Sequence, residues 1–190
     1  MEILSMMEEL RKKLLTLKSA DEKTINQLEF FFNRVHFKRN GIIYTSGYSA
    51  SMLYYISRGL LKGVVSDDEE EHCLWFIDCG FIIPGNGFLT GTKTVESIEV
   101  LANTTGYSLN LVRADTVARN NPQMYRMLLE IYEESWLEGR KREIMLRKQT
   151  ASDRYSYFVK NFPSLWRRLT LEQQAEYLHI GRKYFYNIKK

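Results

Sequence analysis

Residues 169–190, LTLEQQAEYLHIGRKYFYNIKK, contain the densest group of side chains able to bind a polyanion. The last ten residues hold four basic side chains and no acidic one, whereas a helix kept only for solubility usually mixes both signs. Arginine and asparagine can each make two hydrogen bonds to a base edge, and lysine suits phosphates. The pattern therefore predicts a helix that binds nucleic acid. Its candidate contact residues are Arg182, Lys183, Tyr186, Asn187, Lys189 and Lys190.

The residues before this stretch have the spacing of a helix–turn–helix. Thr170 and Gln173 form a capping-box pattern, which predicts the start of a helix. The small Ala175 allows a second helix to cross closely, and Phe185 and Ile188 would hold that second helix by one face. Its opposite face, which carries the basic residues, would be free to enter a DNA groove.

The turn between the two helices carries an unusual residue. The position that is usually glycine falls on His179, with Gly181 two residues later. Histidine tolerates a positive φ better than most non-glycine residues. We therefore predict a turn residue at His179 rather than a ligand or a catalytic base.

The formal net charge of +4 is unevenly distributed. Residues 147–190 carry ten basic and three acidic side chains, whereas the preceding 146 residues carry 17 basic and 20 acidic ones. A basic segment on a mildly acidic body is typical of nucleic-acid binding, because phosphate contacts supply most of the sequence-independent affinity. An anionic membrane or an acidic protein would attract the same segment, so charge alone leaves those partners open.

Composition indicates a globular chain. With 44% hydrophobic and 13% aromatic residues, it can form a substantial core. No stretch approaches the ~20 apolar residues of a membrane helix, and MEILSMMEELRKK does not resemble a secretory signal. Cys73 and Cys79 cannot form a disulfide framework, and their apolar contexts predict buried free thiols. These features favour a reducing cytoplasm and no membrane association.

The first two thirds of the chain change from helical to strand-rich and back. Residues 1 to about 33 are predicted to be helical, with Asp21 capping a second helix that ends in FFF. From Val35 to about Leu111, turns rich in Gly, Asn and Asp separate GIIYTSG, LYYISRGLLKGVV, HCLWFI, VESIEVL and GYSLNLV. This pattern predicts an antiparallel roll, with the acidic run at 67–71 as a hairpin tip.

A long helix is predicted after the strands. Asn121 and Pro122 have the pattern of its cap and first residue, and nothing breaks it before about Lys148. At ~1.5 Å per residue it would be roughly 40 Å long, too long for so small a body to cover. One apolar stripe can pack on the roll and another on a partner helix, which favours a homodimer over a helix lying across its own body. The apolar positions are Met124, Met127, Leu128, Ile131, Tyr132, Trp136, Leu137 and Met145.

This order of elements resembles the Crp/Fnr family of bacterial transcription regulators. The resemblance is carried by FKRNGIIYTSGYSASMLYYISRGLLKG (residues 37–63), by HCLWFIDCGFI and by the helix–turn–helix. It implies an α+β fold in which N-terminal helices and an antiparallel β-roll (a double-stranded β-helix) form a sensor domain, residues 1–112. Residues 113–150 would contain the dimerisation helix, and residues 151–190 would form the helix–turn–helix DNA-binding domain.

The resemblance also implies partners. A homodimer would bind double-stranded DNA at a near-palindromic operator, respond to a small-molecule effector of unknown identity, and contact RNA polymerase. Arg182 falls where the family often has a base-contacting arginine. Lys183 and Asn187 fall on two other reading positions but differ from the common glutamate and arginine, which predicts a different target sequence.

The predicted sensor region departs from the cyclic-nucleotide binders of this family. Those relatives hold the cyclic phosphate with a short helix start and an arginine, and the ribose with a glutamate. Here Lys93 is the only nearby cation, and Glu96 adds a negative charge. Burying a phosphate without its arginine is costly, so we predict an effector other than cyclic AMP. The residues at the corresponding positions are Pro84, Gly85, Asn86, Thr94 and Val95.

Other functions find less support in the sequence. An iron–sulfur cluster needs four thiolates, and a metal-dependent cupin-like enzyme needs converging histidines. His36, His72 and His179 have no such spacing. We therefore predict a transcription regulator that is not an enzyme and has no metal or other cofactor. An effector-independent degenerate regulator and a cupin-like enzyme remain as alternatives.

Overall fold

The computed structural model of the chain describes residues 2–49, 51–67, 70–85, 88 and 90–188, with side chains described from residue 7 onward. These residues form helices packed on an antiparallel sheet. The predicted α+β class is therefore confirmed.

Two helices precede the sheet, α1 (Glu2–Leu15) and α2 (Glu22–Glu29). The carboxylate of Asp21 accepts a hydrogen bond from the Thr24 backbone N–H at 3.0 Å, so Asp21 is the predicted N-cap. The prediction that α2 extends through FFF is wrong. Phe32 instead begins the first strand, because its side chain is buried there and its backbone pairs with Leu109.

The sheet has strand order β1-β5-β2-β3, with β4 paired to β2 and every pairing antiparallel. Asp67 pairs with Glu70 where β2 turns into β3, which agrees with a hairpin at the acidic run. Asp68 and Glu69 of that run lie outside the described residues. The strands are β1 (Phe32–Phe37), β2 (Met52–Asp67), β3 (Glu70–Ile77), β4 (Gly80–Ile82) and β5 (Glu96–Asn110).

The β5 strand is longer than predicted. It joins VESIEVL and GYSLNLV, which we expected as two strands, into one strand of 15 residues. Its pairing with β2 continues through register shifts between Ile56 and Leu61, and such irregularities bend a ladder without ending it. The segment GIIYTSG does not form a regular strand. It lies beside β5, to which an isolated bridge between Ile42 and Glu99 connects it.

Six helices follow β5 in the described part of the chain: α3 (Leu111–Ala118), α4 (Pro122–Leu146), α5 (Ala151–Asn161), α6 (Pro163–Arg168), α7 (Leu171–Tyr177) and α8 (Arg182–Ile188). Asn121 caps α4 by accepting hydrogen bonds from the N–H groups of Gln123 and Met124, as predicted. Pro163 begins α6, because proline lacks the N–H that a first helical residue leaves unpaired.

Alternating residues of β2 pack into different buried clusters. Leu53 joins α1 and α4 through contacts in the cluster that includes Leu14 and Ile131. Its neighbour Tyr54 lies in a separate cluster with Ile98, which belongs to the other face of the sheet. Side chains on one face of the sheet therefore pack against helices. Side chains on the other face pack against residues of other strands.

A third cluster joins the sheet to the last four helices. Leu60, Cys73 and Phe76 of the sheet pack with Phe158 and Phe185 of α5 and α8. We refer to α5–α8 as the C-terminal helices. They are therefore held against the sheet by a shared apolar core and are not tethered only by the chain.

Candidate nucleic-acid interface and effector region

The α8 helix has one buried side and one exposed basic side. Phe185 is buried and Ile188 is half-buried, as predicted for the residues that hold this helix. Arg182, Lys183 and Asn187 are all exposed. Lys183 and Asn187 make no hydrogen bond or ion pair with any described residue, so their polar groups are available to a partner.

Helical geometry identifies the centre of the exposed face. At about 3.6 residues per turn, Lys183 and Asn187 lie opposite the buried side, with Arg182 on one flank. Tyr184, which the sequence analysis did not include, lies on the other flank and is 60% exposed. The signal that could have identified Tyr184 is the helix phase set by Phe185.

Tyr186 is exposed, but its hydroxyl is already engaged. It donates a hydrogen bond to the Glu172 carboxylate at 2.9 Å, which links α8 to the first turn of α7. This bond raises the pKa of Tyr186. The backbone N–H of Glu172 and the Tyr186 hydroxyl together lower the pKa of Glu172. Tyr186 therefore presents its ring, more than its hydroxyl, to a partner.

The start of α7 has the predicted capping box. The Thr170 hydroxyl accepts from the Gln173 N–H at 3.2 Å, and the Gln173 side chain accepts from the Thr170 N–H at 2.9 Å. The buried Gln174 donates from one amide nitrogen to the carbonyls of Trp166 and Leu169, each at 2.9 Å. These bonds fix α7 against the end of α6.

The turn between α7 and α8 has the hydrogen bonds of a Schellman motif. The His179 N–H donates to the Glu176 carbonyl at 3.0 Å, and the Ile180 N–H donates to the Ala175 carbonyl at 2.9 Å. His179 has a φ of 51°, the left-handed conformation predicted for it. The turn therefore fixes the direction in which α8 leaves α7. Lys189 and Lys190, the last two predicted contacts, lie outside the described residues.

Aromatic contacts hold α7 and α8 in place. The ring of Tyr155 on α5 meets that of Phe185 edge-on, at 5.6 Å between centroids. Tyr177 of α7 packs against Phe158 and against Phe76 of the sheet, at 5.6 and 5.5 Å. Edge-to-face pairs of this kind add to the energy of apolar burial.

The predicted effector region surrounds a buried carboxylate. Glu96 is only 7% exposed, and it accepts hydrogen bonds from the Tyr44 hydroxyl at 2.9 Å and from the Trp75 indole N–H at 3.2 Å. Burial and the negative charge of Glu96 raise the pKa of Tyr44. A Cβ atom placed on Gly63 would overlap the Trp75 ring, so the glycine allows the indole to lie flat on the strand.

The residues predicted for the effector do not all converge. Thr94 is buried, and its hydroxyl accepts from the Glu96 N–H at 3.2 Å. Pro84 is buried, and Gly85 lies so close to Glu96 that an added Cβ would be 3.0 Å from the carboxylate. Val95 is 61% exposed and is therefore not part of this buried group. Asn86 lies outside the described residues.

The predicted effector region carries a negative charge of its own. Glu96 places a negative charge against the turn where the resemblance locates that phosphate. Between residues 78 and 100 the sequence has no arginine, and its one lysine is Lys93. A second buried anion beside Glu96 would meet a like charge, which is costly without a compensating cation.

The cysteines and histidines are dispersed. Cys73 is buried, and burial raises its pKa to about 12, but Cys79 is exposed between β3 and β4, which corrects the prediction of two buried thiols. His36, His72 and His179 lie on β1, on β3 and in the α7–α8 turn. Among the described residues, no group of three or more metal-ligating side chains is placed to hold an ion.

The long helix α4 has two apolar faces, as predicted. Met127 and Ile131 are fully buried against the sheet and α1, whereas Leu129 is 66% exposed and Trp136 is 62% exposed. Helical geometry places Leu129 and Trp136 on the face opposite to the buried residues. The exposed stripe consists of Tyr125, Leu129, Trp136, Leu137 and Ile144.

Comparison with known proteins supports the fold. No protein-family model matches the chain, and no curated protein sequence matches it. The c-di-GMP responsive global regulator CLP from Xanthomonas campestris superposes with a TM-score of 0.66 at 14% identity, over 88% of this chain and 89% of that chain. FixK2 from Bradyrhizobium japonicum gives a TM-score of 0.67 at 15% identity, over 83% of this chain and 82% of that chain.

A third similar structure carries the family name. It is a transcriptional regulator of the crp/fnr family from Eubacterium rectale, with a TM-score of 0.66 at 13% identity, over 89% of this chain and 82% of that chain. The chain therefore has the fold of these regulators, and the resemblance seen in the sequence is confirmed at that level. The comparisons do not favour a metal-dependent enzyme. No helix in the described part is long and apolar enough to cross a membrane.

Proposed function

We propose that this protein is a homodimeric DNA-binding transcription regulator of the Crp/Fnr type. The observation that carries the proposal is α8, whose exposed face presents Arg182, Lys183 and Asn187 while Phe185 anchors its other side. The capping box of α7 and the turn at His179 support the proposal that α7 and α8 are the two helices of a helix–turn–helix. The basic balance of residues 147–190 supports an anionic partner.

Each proposed contact has a chemical role. Arg182 and Asn187 would bind base edges, because both side chains can make paired hydrogen bonds in the major groove. Lys183, Lys189 and Lys190 would bind phosphates and give affinity without sequence preference. The ring of Tyr186 would contact a base or a sugar, since its hydroxyl is bonded to Glu172.

The exposed stripe of α4 supports the dimer. Leu129 and Trp136 form an apolar surface on a helix of 25 residues, and a second copy of the same helix would cover it. A two-fold dimer places its two recognition helices symmetrically, so the operator would be a near-palindrome with half-sites about 34–36 Å apart. Residues 1–112, 113–150 and 151–190 would then act as sensor, dimerisation and DNA-binding regions.

The sensor would respond to a small molecule other than cyclic AMP. Glu96 supports this because its buried carboxylate lies against Gly85, in the segment that corresponds to the nucleotide-binding residues of the relatives. A regulator of this type works in the cytoplasm, where RNA polymerase is a further proposed partner.

Selection from a random duplex library tests the proposal. The purified full-length chain is expected to enrich a palindrome whose half-sites are separated by about one DNA turn. Titration with salt should weaken binding in proportion to the phosphates contacted. Failure to enrich any sequence, both alone and with a small-molecule extract of cells, would contradict the proposal.

Arg182→Ala tests the assignment of α8 within this function. We expect a loss of ~1–3 kcal/mol on the selected operator and a much smaller loss on random duplex, because a base contact is specific. Lys190→Ala should weaken both equally. Arg113→Ala, which removes an exposed arginine on α3, serves as the control and should change neither. Equal losses for Arg182→Ala on both duplexes would remove it from the base-contacting set.

A further inference from the structure

A buried lysine lies where the sheet meets the C-terminal helices. Lys62 of β2 is 9% exposed, and its ammonium is 3.0 Å from Glu71 Oε1 of β3 and 2.9 Å from Glu176 Oε1 of α7. Glu99 of β5, which pairs with Lys62 across the sheet, contributes a third carboxylate at 4.0 Å. One ammonium therefore links three strands to α7.

Two further polar side chains, Arg142 and Asp78, make contacts across the same boundary. Arg142 of α4 donates from Nη2 to the carbonyls of Cys73 and Tyr177, at 2.9 and 3.4 Å. Its guanidinium also lies 4.8 Å from the centroid of the Tyr177 ring. Asp78, which follows β3, accepts a hydrogen bond from Ser164 and pairs with Arg168 at 3.5 Å. Together with the cluster around Phe76, these contacts leave α7 little freedom to rotate on the sheet.

The electrostatics keep Lys62 charged. Burial alone lowers the pKa of a lysine, but the hydrogen bonds to Glu176 and Glu71 outweigh that effect and raise the pKa of Lys62. A buried ion pair contributes little net stability compared with a well-packed apolar pair. Its bond to Glu176 does favour one geometry over nearby ones, because that carboxylate reaches the Lys62 ammonium only when α7 lies where it does. The contact is therefore better suited to fixing an orientation than to increasing stability.

Fixing α7 also fixes α8. The two helices are joined by a hydrogen-bonded turn at His179, and Phe185 and Tyr177 belong to the same buried cluster. The orientation of Arg182 and Asn187 relative to the sheet therefore depends on how α7 is held.

We propose that Lys62 is a positioning residue for DNA reading, which acts through Glu176 to set the orientation of α8 on the sheet. This inference rests on the proposed dimeric DNA-binding function and extends it. In a dimer joined through α4, each sheet is fixed relative to the two-fold axis. The Lys62 contact therefore determines the distance and angle between the two recognition helices, and with them the half-site spacing that the dimer accepts.

The orientation is tested first in the free protein by hydrogen exchange. Lys62→Met removes the ammonium but keeps the apolar stem, and Glu176→Gln removes the charge of the exposed partner without disturbing the core. Both variants are expected to speed amide exchange in α7 and α8 by about fivefold or more, with β1 and β5 amides unchanged. Lys62→Arg should restore protection. Unchanged exchange in α7 and α8 in both variants would overturn the inference.

Half-site spacing provides the readout that a merely structural role would not alter. Wild-type protein should discriminate against operators lengthened or shortened by one and two base pairs. Glu176→Gln and Lys62→Met should lose about fivefold or more of this discrimination while binding a single half-site as before. Lys13→Met, which removes a lysine paired with Glu134 elsewhere, is the control. Retained discrimination in both variants overturns the inference. If no variant, including wild type, binds DNA, the proposed function fails and the exchange result alone decides whether Lys62 orients α8.

Discussion

At the scale of single residues, Glu96 is the side chain with the largest consequence for the sensor. Its carboxylate accepts bonds from Tyr44 and Trp75, which come from the segment before β2 and from β3. Removal of a charged acceptor leaves partly buried donors without partners. The free-energy cost of these unpaired donors exceeds the net stability that the hydrogen bonds provide. Glu96 therefore acts as an internal anion that holds three segments around the proposed effector region.

We expect Glu96→Ala to lower the free energy of unfolding by about 1–3 kcal/mol, because Tyr44 and Trp75 lose their acceptor. Val95→Ala, next in sequence but exposed, should change it by less than about 0.5 kcal/mol. Urea denaturation of the two variants measures both values. Equal, small effects would show that the Glu96 carboxylate is dispensable to the fold.

At the scale of elements, α4 is the helix whose two faces differ most in their surroundings. Its buried face packs on the sheet through Met127 and Ile131. Its other face presents Leu129 and Trp136, and Arg140 lies over the Trp136 ring at 5.7 Å. Large aromatic residues in the centre of an apolar stripe are the side chains that dominate the energy of many interfaces.

We expect Trp136→Ala to raise the dissociation constant of the dimer by roughly 30-fold, the factor that corresponds to a 2 kcal/mol interface residue. Sedimentation velocity over a concentration series measures this change. Phe30→Ala is the matched control, because Phe30 is an 86% exposed aromatic residue at the C-cap of α2 and is not part of α4. A monomeric wild-type chain, or equal effects of the two variants, would contradict the assignment of this stripe to the dimer.

Short-range features of these elements could be predicted from the sequence, and long-range ones could not. The caps at Asp21, Asn121 and Thr170 depend on residues within three positions of each other, so their patterns are visible directly. The left-handed turn at His179 followed from its place in the helix–turn–helix. Neither the length of β5 nor the exposure of Cys79 has a local signal, because both depend on pairing partners and contacts supplied by distant segments.

The candidate sites divide in the same way. Exposure of Arg182 and Lys183 followed from the helical phase set by Phe185 and Ile188. The contact between Lys62 and Glu176 could not be predicted in this way, because the two residues are distant in the chain and have no recognisable spacing. The bond between Tyr186 and Glu172 depends likewise on the angle between two helices.

At the scale of the whole molecule, the predicted boundary at residue 150 passes through a single apolar core. Leu60, Cys73 and Phe76 lie on the sheet side of this boundary, and Phe158 and Phe185 lie on the other side. Separate domains connected by a linker would each bury their own residues. Here residues of the sheet and residues of the C-terminal helices bury one another. The sheet and these helices should therefore unfold together.

We expect one cooperative unfolding transition. Two single-tryptophan variants test it: one retains Trp75 of the sheet and the other retains Trp166 of α6, with phenylalanine at the remaining tryptophan positions. In each variant the fluorescence midpoint in urea should coincide with the midpoint from far-ultraviolet circular dichroism of that same variant, since two-state unfolding gives the same midpoint for every probe. A fluorescence midpoint for Trp166 below the circular-dichroism midpoint of its own variant would show that the C-terminal helices unfold independently and would place them in a domain of their own.

The strand order has a consequence for the kinetics of folding. The β1 strand pairs with β5, and β5 lies between β1 and β2, so the sheet closes only after distant parts of the chain have met. Pairing of this kind is slow, whereas short helices form quickly from local contacts. The aromatic side chains of α5 and α8 therefore remain exposed to solvent until the strands that carry Leu60 and Phe76 have formed. During that interval their exposed apolar side chains favour aggregation, and the helix that we propose binds DNA is the last to acquire a fixed position.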